Sequence, residues 1–196
     1  MVRRALGGLV LVLACTAAAA AGPLDTPGYT KAFTCSACHG PAGQSPSTSM
    51  PILAGMNPAY FKKAIEDYAT GRRPSPEMEP YAKMVRELGV DEVASYFAVQ
   101  RFQPTSVKVD RAAVARGKAA AQPCAVCHGA DGKGDAAKLI PSLAGQPPGF
   151  LRSQLLRFKG DTRSPDDEPL KAVKAMLKTI SDDTLSDLAA YYSTLR

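Results

Sequence analysis

The sequence contains no tryptophan and only two histidines, His39 and His128, among its 196 residues. Aromatic residues make up 7% of the chain, so large ring side chains alone cannot fill its interior. Two histidines also cannot supply a pair of imidazole ligands to each of two metal centres. A chain with two separate metal centres would therefore need a ligand other than a second histidine at each of them, unless another molecule supplied one.

Long apolar segments are also missing. The apolar stretch near the amino terminus covers residues 5–14, which is too short for a helix that crosses a bilayer. It follows Arg3 and Arg4 and precedes an alanine run at 17–21, the order found in export signals. The sequence therefore predicts a signal peptide over residues 1–22 and a mature protein in the periplasm.

Cys15, close to the predicted cleavage site, leaves one alternative open. The segment Val12-Leu-Ala-Cys15 loosely resembles a lipoprotein box, in which the cysteine is lipidated and anchors the protein to a membrane. Cleavage of the signal and lipidation of Cys15 both use up the fifth cysteine. Four cysteines then remain in the rest of the chain.

These four cysteines form two copies of one short motif. Each copy reads Cys-x-x-Cys-His-Gly. Its cysteines and histidine are Cys35, Cys38 and His39 in the first half and Cys124, Cys127 and His128 in the second. At this spacing two thiols can add to the vinyl groups of one haem while the next imidazole binds its iron. A zinc site from both cysteine pairs and a redox dithiol are the alternatives, but neither requires the His-Gly. We predict two covalently bound haem c groups, one at each motif.

The charge of the chain argues against nucleic acid as a partner. The sequence has 24 Lys+Arg and 18 Asp+Glu, a formal net charge of +6, and loss of Arg3 and Arg4 with the signal would reduce it to +4. Two haems would add four propionates and bring the holoprotein close to neutral. The basic excess is therefore interpreted as part of a solvated mixed surface.

The two motifs belong to a longer repeat that divides the chain. Cys124 follows Cys35 by 89 residues, which indicates two domains rather than one. A glycine precedes each motif by seven residues, and each motif is followed by Pro-x-Leu-Ala-Gly, an amphipathic helix and a pair of aromatic residues. We predict a mostly helical tandem duplication, with domain 1 at 23–103, a linker at 104–110 and domain 2 at 111–196.

The order of these features, with an arginine after each amphipathic helix, resembles the diheme cytochrome c4 family. The resemblance covers residues 27–196. It implies an all-α fold of two tandem cytochrome c-like domains, each a small helical fold around one covalent haem. It also implies a periplasmic protein that carries electrons, often to terminal oxidases.

The resemblance assigns supporting roles to two prolines and two arginines. Each proline would offer its backbone carbonyl to the ring N–H of the haem-binding histidine, and each arginine would contact a haem propionate. These residues are Pro51, Pro141, Arg73 and Arg163. The alternative for the two arginines is an exposed surface position without a ligand.

The sixth iron ligand has to be assigned separately in each half. A thioether raises the reduction potential of a haem relative to a second imidazole, which suits an electron carrier. Met78, 18 residues before Tyr96, stands where the family has its methionine ligand. Met84, Met50 and Met56 are expected to pack in the interior instead.

The second half departs from this pattern. The residue 18 positions before Tyr191 is Val173, and the one methionine of this half is Met176. We predict Met176 as the second iron's ligand, reached through a small shift or an unwound turn of helix. An open or water-bound iron, with Met176 packing beside Ile180 and Leu185, is one alternative. The other alternative is a lysine ligand, from Lys171, Lys174 or Lys178, which would first have to lose its proton.

The predicted haem-binding residues favour an electron carrier over an enzyme. The leading hypothesis is a shuttle between a respiratory complex or dehydrogenase and a terminal oxidase or reductase. The second is a peroxidase-like haem enzyme whose second iron is open to a small substrate. The third is the cytochrome subunit of a periplasmic dehydrogenase. All three hypotheses require redox protein partners, and none requires nucleic acid or a transmembrane helix in the mature protein.

Overall fold

The computed structural model describes residues 22–165 and 167–196. The predicted signal peptide at 1–22, apart from its last residue, and Cys15 lie outside the described residues. The described chain is helical and contains one isolated antiparallel bridge but no strand. The all-α prediction is therefore confirmed. In this part of the chain no helix is both long enough and apolar enough to cross a membrane.

Within the described residues, each half of the chain contains five α-helices in the same order. The first half has α1 (Tyr29–Ala32), α2 (Ser36–His39), α3 (Pro58–Ala69), α4 (Met78–Leu88) and α5 (Val90–Ala98). The second half has α6 (Arg111–Ala120), α7 (Gln122–His128), α8 (Pro148–Lys159), α9 (Glu168–Lys178) and α10 (Asp182–Thr194). The starts of α3 and α8 are 90 residues apart, and so are the starts of α4 and α9. The duplication in the sequence is therefore also a duplication of helices.

Two helix boundaries bear on the predictions. The segment that leads into the first motif is not one continuous α-helix, because a 3-10 turn at Phe33–Cys35 separates α1 from α2. Residues 101–110 contain no helix, and the linker predicted at 104–110 lies inside this stretch. The exact domain boundaries stay a prediction.

Local side-chain chemistry sets the starts of several helices. Asn57 Oδ1 accepts a hydrogen bond from the backbone N–H of Tyr60 at 2.9 Å, and Pro58 is the first residue of α3. Asp110 caps α6 and Ser181 caps α10 in the same way. These caps satisfy N–H groups that have no partner within the helix, so α3, α6 and α10 begin where the sequence supplies a cap.

Each half has its own apolar core, built where its last helix packs against the others. The first core includes Phe61, Ile65, Val85, Val93, Tyr96 and Phe97, and the second includes Leu151, Leu177, Leu185, Leu188 and Tyr192. The rings of Tyr96 and Phe97 meet edge to face, with centroids 5.0 Å apart. Such pairs add to the stabilisation that burial alone provides. The aromatic pair that closes each repeat therefore anchors α5 and α10 in their cores.

A glycine lets the first and last helices of each half approach closely. Gly117 lies in α6, and a Cβ atom there would lie 2.0 Å from the backbone oxygen of Asp187 in α10. Gly28 precedes α1 with a φ of +87°, and a Cβ atom there would lie 2.3 Å from the backbone oxygen of Glu92 in α5. Both glycines stand seven residues before the first cysteine of their motif. The two crossings therefore hold each motif next to the last helix of its half.

Gly117→Ala should lower the free energy of unfolding by about 1–3 kcal/mol, because the added methyl group forces α6 away from α10. Thermal unfolding of the holoprotein measures the change. Gly160→Ala is the matched control, since its φ is −80° and its Cβ atom would lie 3.3 Å from the nearest atom, the backbone oxygen of Leu156. Equal losses in the two variants would contradict this account of the crossing.

Candidate haem sites

The two motifs lie at matching points of the fold. α2 ends at His39 and α7 ends at His128. The glycine that follows has a positive φ in each case, 74° at Gly40 and 75° at Gly129. Glycine reaches this conformation at little cost, so the helix stops directly after the histidine. In each half, two thiols and one imidazole therefore lie close together at the end of a short helical segment.

The four motif cysteines are free thiols with the same pattern of exposure in both halves. Cys38 and Cys127 are exposed, whereas Cys35 and Cys124 are half-buried. Burial raises the pKa of the Cys35 and Cys124 thiols above its usual range. A redox dithiol depends on a thiol with a depressed pKa that ionises readily. The arrangement therefore does not favour the redox-dithiol alternative.

The two cysteine pairs do not converge on a shared metal position. Among residues 22–165 and 167–196, no group of three or more His, Cys, Asp or Glu side chains is arranged to hold a metal ion. A structural zinc site needs four such ligands around one point. Each motif therefore stands as a separate site, and the zinc alternative has no geometric support.

A backbone carbonyl from the Pro-x-Leu-Ala-Gly segment orients each histidine. Nδ1 of His39 lies 2.9 Å from the carbonyl oxygen of Pro51, and Nδ1 of His128 lies 3.0 Å from that of Pro141. Because a carbonyl oxygen can only accept, Nδ1 donates its proton and Nε2 keeps a free lone pair. Burial lowers the pKa of both imidazoles, and the contacts with the prolines partly oppose it. The neutral ring is the form that can bind iron.

The two arginines that the resemblance assigned to propionates are buried, so the alternative of exposed surface positions is wrong. Arg73 is 4% exposed and Arg163 is 8% exposed. The Arg73 guanidinium lies 4.5 Å from the ring centroid of Tyr68, and that of Arg163 lies 4.4 Å from the ring centroid of Phe158. The Nε atom of each arginine is buried without a hydrogen-bond partner. A buried cation with an unused donor favours an anionic ligand.

These observations fit a haem in each half. The two cysteines of each motif have the sequence spacing at which thiols join the vinyl groups of one haem, the histidines have Nε2 available for iron, and the arginine Nε–H groups suit the carboxylates of a haem. No part of the described chain supplies acceptors for those two Nε–H groups. The donor set of each half is therefore chemically suited to a covalent haem.

The candidate for the sixth ligand of the first iron begins a helix. Met78 is the first residue of α4 and is half-buried, and Met84 is half-buried further along the same helix. Met56 packs against the first core, so its predicted packing role is confirmed. Met50 is half-buried in the segment before the Pro-x-Leu-Ala-Gly run. The assignment of Met78 to iron stays a prediction.

The second half has no methionine at either position that corresponds to Met78. Counted from the start of the helix, the counterpart is Glu168, the first residue of α9. Counted back from the closing aromatic pair, it is Val173. Met176 lies later in α9 and packs against the second core, as do Val173 and Ile180. Its packing is therefore shown, whereas its bond to iron stays a prediction.

Two of the three lysine alternatives are engaged elsewhere. Lys174 is buried, and its Nζ lies 2.5 Å from Oδ1 of Asp161 and 2.5 Å from the carbonyl oxygen of Ser164. Lys171 pairs with Glu168. Either lysine would have to give up these partners as well as a proton before it could bind iron. These two lysines are therefore weaker candidates than Met176 or an open iron.

Two glutamines at the contact between the halves had no signature in the sequence. Gln146 is buried, and its amide accepts from the backbone N–H of Ile52 and donates to the carbonyl of the same residue, each at 2.9 Å. Gln154 accepts from Arg73 at 2.9 Å and from Arg163 at 2.6 Å. The corresponding residues of the first half are a methionine and an alanine, so the internal repeat could not reveal either contact.

Comparisons with known proteins lead to one family. The family model described as cytochrome c matches residues 114–196. Cytochrome c4 of Pseudomonas aeruginosa is 30% identical over 97% of this chain and 98% of its own length. The thiosulfate dehydrogenase electron acceptor of Stutzerimonas stutzeri is 29% identical over 84% of this chain and 80% of its own length. The crystal structure of reduced recombinant cytochrome c4 from Pseudomonas stutzeri has a TM-score of 0.76 at 26% identity and covers 86% of this chain and 97% of that chain. This chain therefore belongs to the cytochrome c4 family of electron-transfer haem proteins.

Proposed function

We propose that the protein is a periplasmic diheme cytochrome that shuttles electrons between a respiratory complex or dehydrogenase and a terminal oxidase or reductase. The observation that carries this proposal is the duplicated donor set. Each half has two free thiols, a histidine bonded through Nδ1 to a proline carbonyl, and a buried arginine with an unused Nε–H. Two such sites in one chain would hold two electrons.

The residues of the chain would hold each haem without taking part in bond-making chemistry during turnover. Four cysteines would form the thioether links, with Cys35 and Cys38 in the first half and Cys124 and Cys127 in the second. His39 and His128 would bind iron, and the carbonyls that orient them would fix the ring planes and increase ligand basicity. Met78 would be the second protein ligand of the first iron, and its thioether would raise the reduction potential of that haem. When bound, the haem supplies reversible one-electron chemistry at iron.

The cytochrome subunit or dedicated acceptor of a periplasmic dehydrogenase is the second candidate. One relative carries the name thiosulfate dehydrogenase electron acceptor, and this chain covers 80% of it. The same two sites would serve this role, so the candidates differ in their electron donor. Co-purification with a dehydrogenase, together with reduction of this protein by that enzyme and its substrate, would favour the second candidate over the free shuttle.

Cofactor content tests the proposal directly. Protein purified from the periplasmic fraction should keep two c-type haems per chain after acid-acetone extraction, as measured by a haemochrome assay. A redox titration should then resolve two one-electron centres. Recovery of zinc in place of haem, or extraction of the haem into the acetone, would overturn the proposed function.

A further inference from the structure

The contact between the two halves brings both buried arginines to one side chain. Gln154 lies in α8, and its Oε1 accepts from Nη2 of Arg73 at 2.9 Å and from Nη1 of Arg163 at 2.6 Å. Arg73 belongs to the loop after α3, and Arg163 belongs to the loop after α8. One neutral amide oxygen therefore holds two guanidinium groups, one from each half of the chain.

Two cations buried this close to each other interact unfavourably. Burial lowers the pKa of Arg163, and the charge of Arg73 lowers it further. The Tyr60 hydroxyl accepts from Arg163 at 3.3 Å. Burial raises the pKa of Tyr60, but the charges of Arg163 and Arg73 lower it overall. Positive charge is therefore concentrated where Arg73 and Arg163 meet at Gln154.

The neutral glutamine offsets only part of this charge. In residues 22–165 and 167–196, neither Arg73 nor Arg163 forms an ion pair with a carboxylate. Their Nε–H groups also have no acceptor. Buried charges of this kind are stable only when paired or hydrogen-bonded. Within the described residues, the positive charges of Arg73 and Arg163 therefore have no negative partner, and an anionic ligand would supply one.

We propose that Gln154 is a positioning residue for both haem sites, an inference that rests on the proposed function. By holding Arg73 and Arg163 at a single point, its amide oxygen keeps their Nε–H donors available to the carboxylates of the two haems. A change of charge at residue 154 therefore alters the reduction potential of both haems, although Gln154 belongs to the second half. The first half has no equivalent, because Ala64 occupies the corresponding position.

Gln154→Glu tests this role, because it keeps the length of the side chain and adds one negative charge between the arginines. A negative charge placed beside the two buried arginines stabilises the more positive, oxidised iron, so both haems should become harder to reduce. We expect the reduced-to-oxidised ratio of each haem at a fixed potential to fall by about tenfold, which is about 59 mV for a one-electron couple. Spectroelectrochemical titration measures both haems in one sample.

Gln154→Met removes the amide oxygen at a similar length and adds no charge. The negative end of the amide dipole is lost, so both ratios should shift in the opposite direction. A purely structural role for Gln154 would not produce opposite shifts in the two variants. Ser153→Glu is the matched control, since it adds the same charge one residue earlier in α8 on a side chain that bonds neither arginine. Its effect on both haems should be clearly smaller.

A haemochrome assay on each variant separates two kinds of failure. Absence of haem from the parent protein would defeat the proposed function, whereas two haems with altered potentials test Gln154 alone. A shift confined to one haem would overturn the positioning role. Equal shifts in Gln154→Glu and Ser153→Glu would also overturn it, because they would show that only the long-range field of the added charge matters.

Discussion

Replacing Cys124 and Cys127 together by alanine should reduce the haem content from two per chain to one. Both thiols are free, so the substitutions break no disulfide. Without thioether links, the second haem would be held only by its iron ligands and by non-covalent contacts, and it would be lost on acid-acetone extraction. The first haem should remain, because the first half has its own motif and its own core. Haemochrome absorbance per mole of chain measures the change.

The same double variant should destabilise the second half of the chain. Leu143, Phe150 and Met176 are only partly buried where they pack against the second core. A haem over such side chains would bury apolar surface that an isolated domain of this size cannot easily replace. Thermal unfolding should therefore show part of the helix signal melting at a lower temperature than in the parent.

Cys35→Ala combined with Cys38→Ala is the reciprocal control. It should leave one haem, carried by the second half, with the destabilisation moved to the first half. A double variant that kept two covalent haems would show that the motif is not the attachment site. A double variant that lost both haems would show that the two sites are not independent.

The helical fold and the covalent motifs could be predicted because they depend on short spacings along the chain. Two thiols and an imidazole within five residues limit the chemistry before any tertiary structure is known. Asn57 and Asp110 stand directly before the helices that they cap. Gly28 and Gly117 stand at equal distances from their motifs, and both lie where two helices cross. The motifs and these glycines occur in both halves, so the two halves support each other's interpretation, whereas the caps at Asn57 and Asp110 each occur in one half.

The contact between the halves could not be predicted in this way. The hydrogen bond from Arg73 to Gln154 joins residues 81 positions apart, and that from Arg163 to Tyr60 joins residues 103 apart. Each arginine also packs on an aromatic ring of its own half, but the residues that contact it from the other half have no signature in the local sequence. An exposed position was therefore a reasonable alternative from the sequence, and it was wrong.

The second iron is difficult for a related reason. Glu168 precedes Tyr191 by 23 residues, whereas Met78 precedes Tyr96 by 18. The last helix has 13 residues in the second half and 9 in the first, so part of this difference lies in α10. Counting from the start of the helix and counting back from the aromatic pair therefore give two different counterparts of Met78. The repeat matches the cysteines, histidines, prolines and arginines of the two candidate sites, but it does not locate this ligand.

Met78→Ala should convert the first haem to a high-spin form that binds carbon monoxide or cyanide readily, because the iron loses its thioether ligand. Its reduction potential should also fall, since thioether ligation raises it. Electron paramagnetic resonance and optical spectra of the oxidised protein should report one high-spin haem of two. Met84→Ala is the matched control, because Met84 is a half-buried methionine of the same helix. It should leave both haems low spin.

Met176→Ala should produce the same change at the second haem if Met176 is the ligand. Val173 and Met176 both lie in α9, about 4.5 Å apart along the axis and about 60° apart around it. A bond from Met176 to iron therefore requires a small shift or an unwound turn of α9, which the long, flexible thioether side chain makes feasible. Spectra of the Met176→Ala and Met78→Ala variants should each show one high-spin haem, and the double variant should show two.

The parent protein decides between the shuttle and the catalytic hypothesis. Two low-spin haems, with one lost in each single methionine variant, would assign Met78 and Met176 as ligands and support electron transfer at both sites. One high-spin haem in the unmutated protein, unchanged by Met176→Ala, would show that Met176 only packs beside Ile180 against the second core. An iron with a free coordination position can bind a small molecule such as peroxide, so that result would favour the peroxidase-like hypothesis over the shuttle.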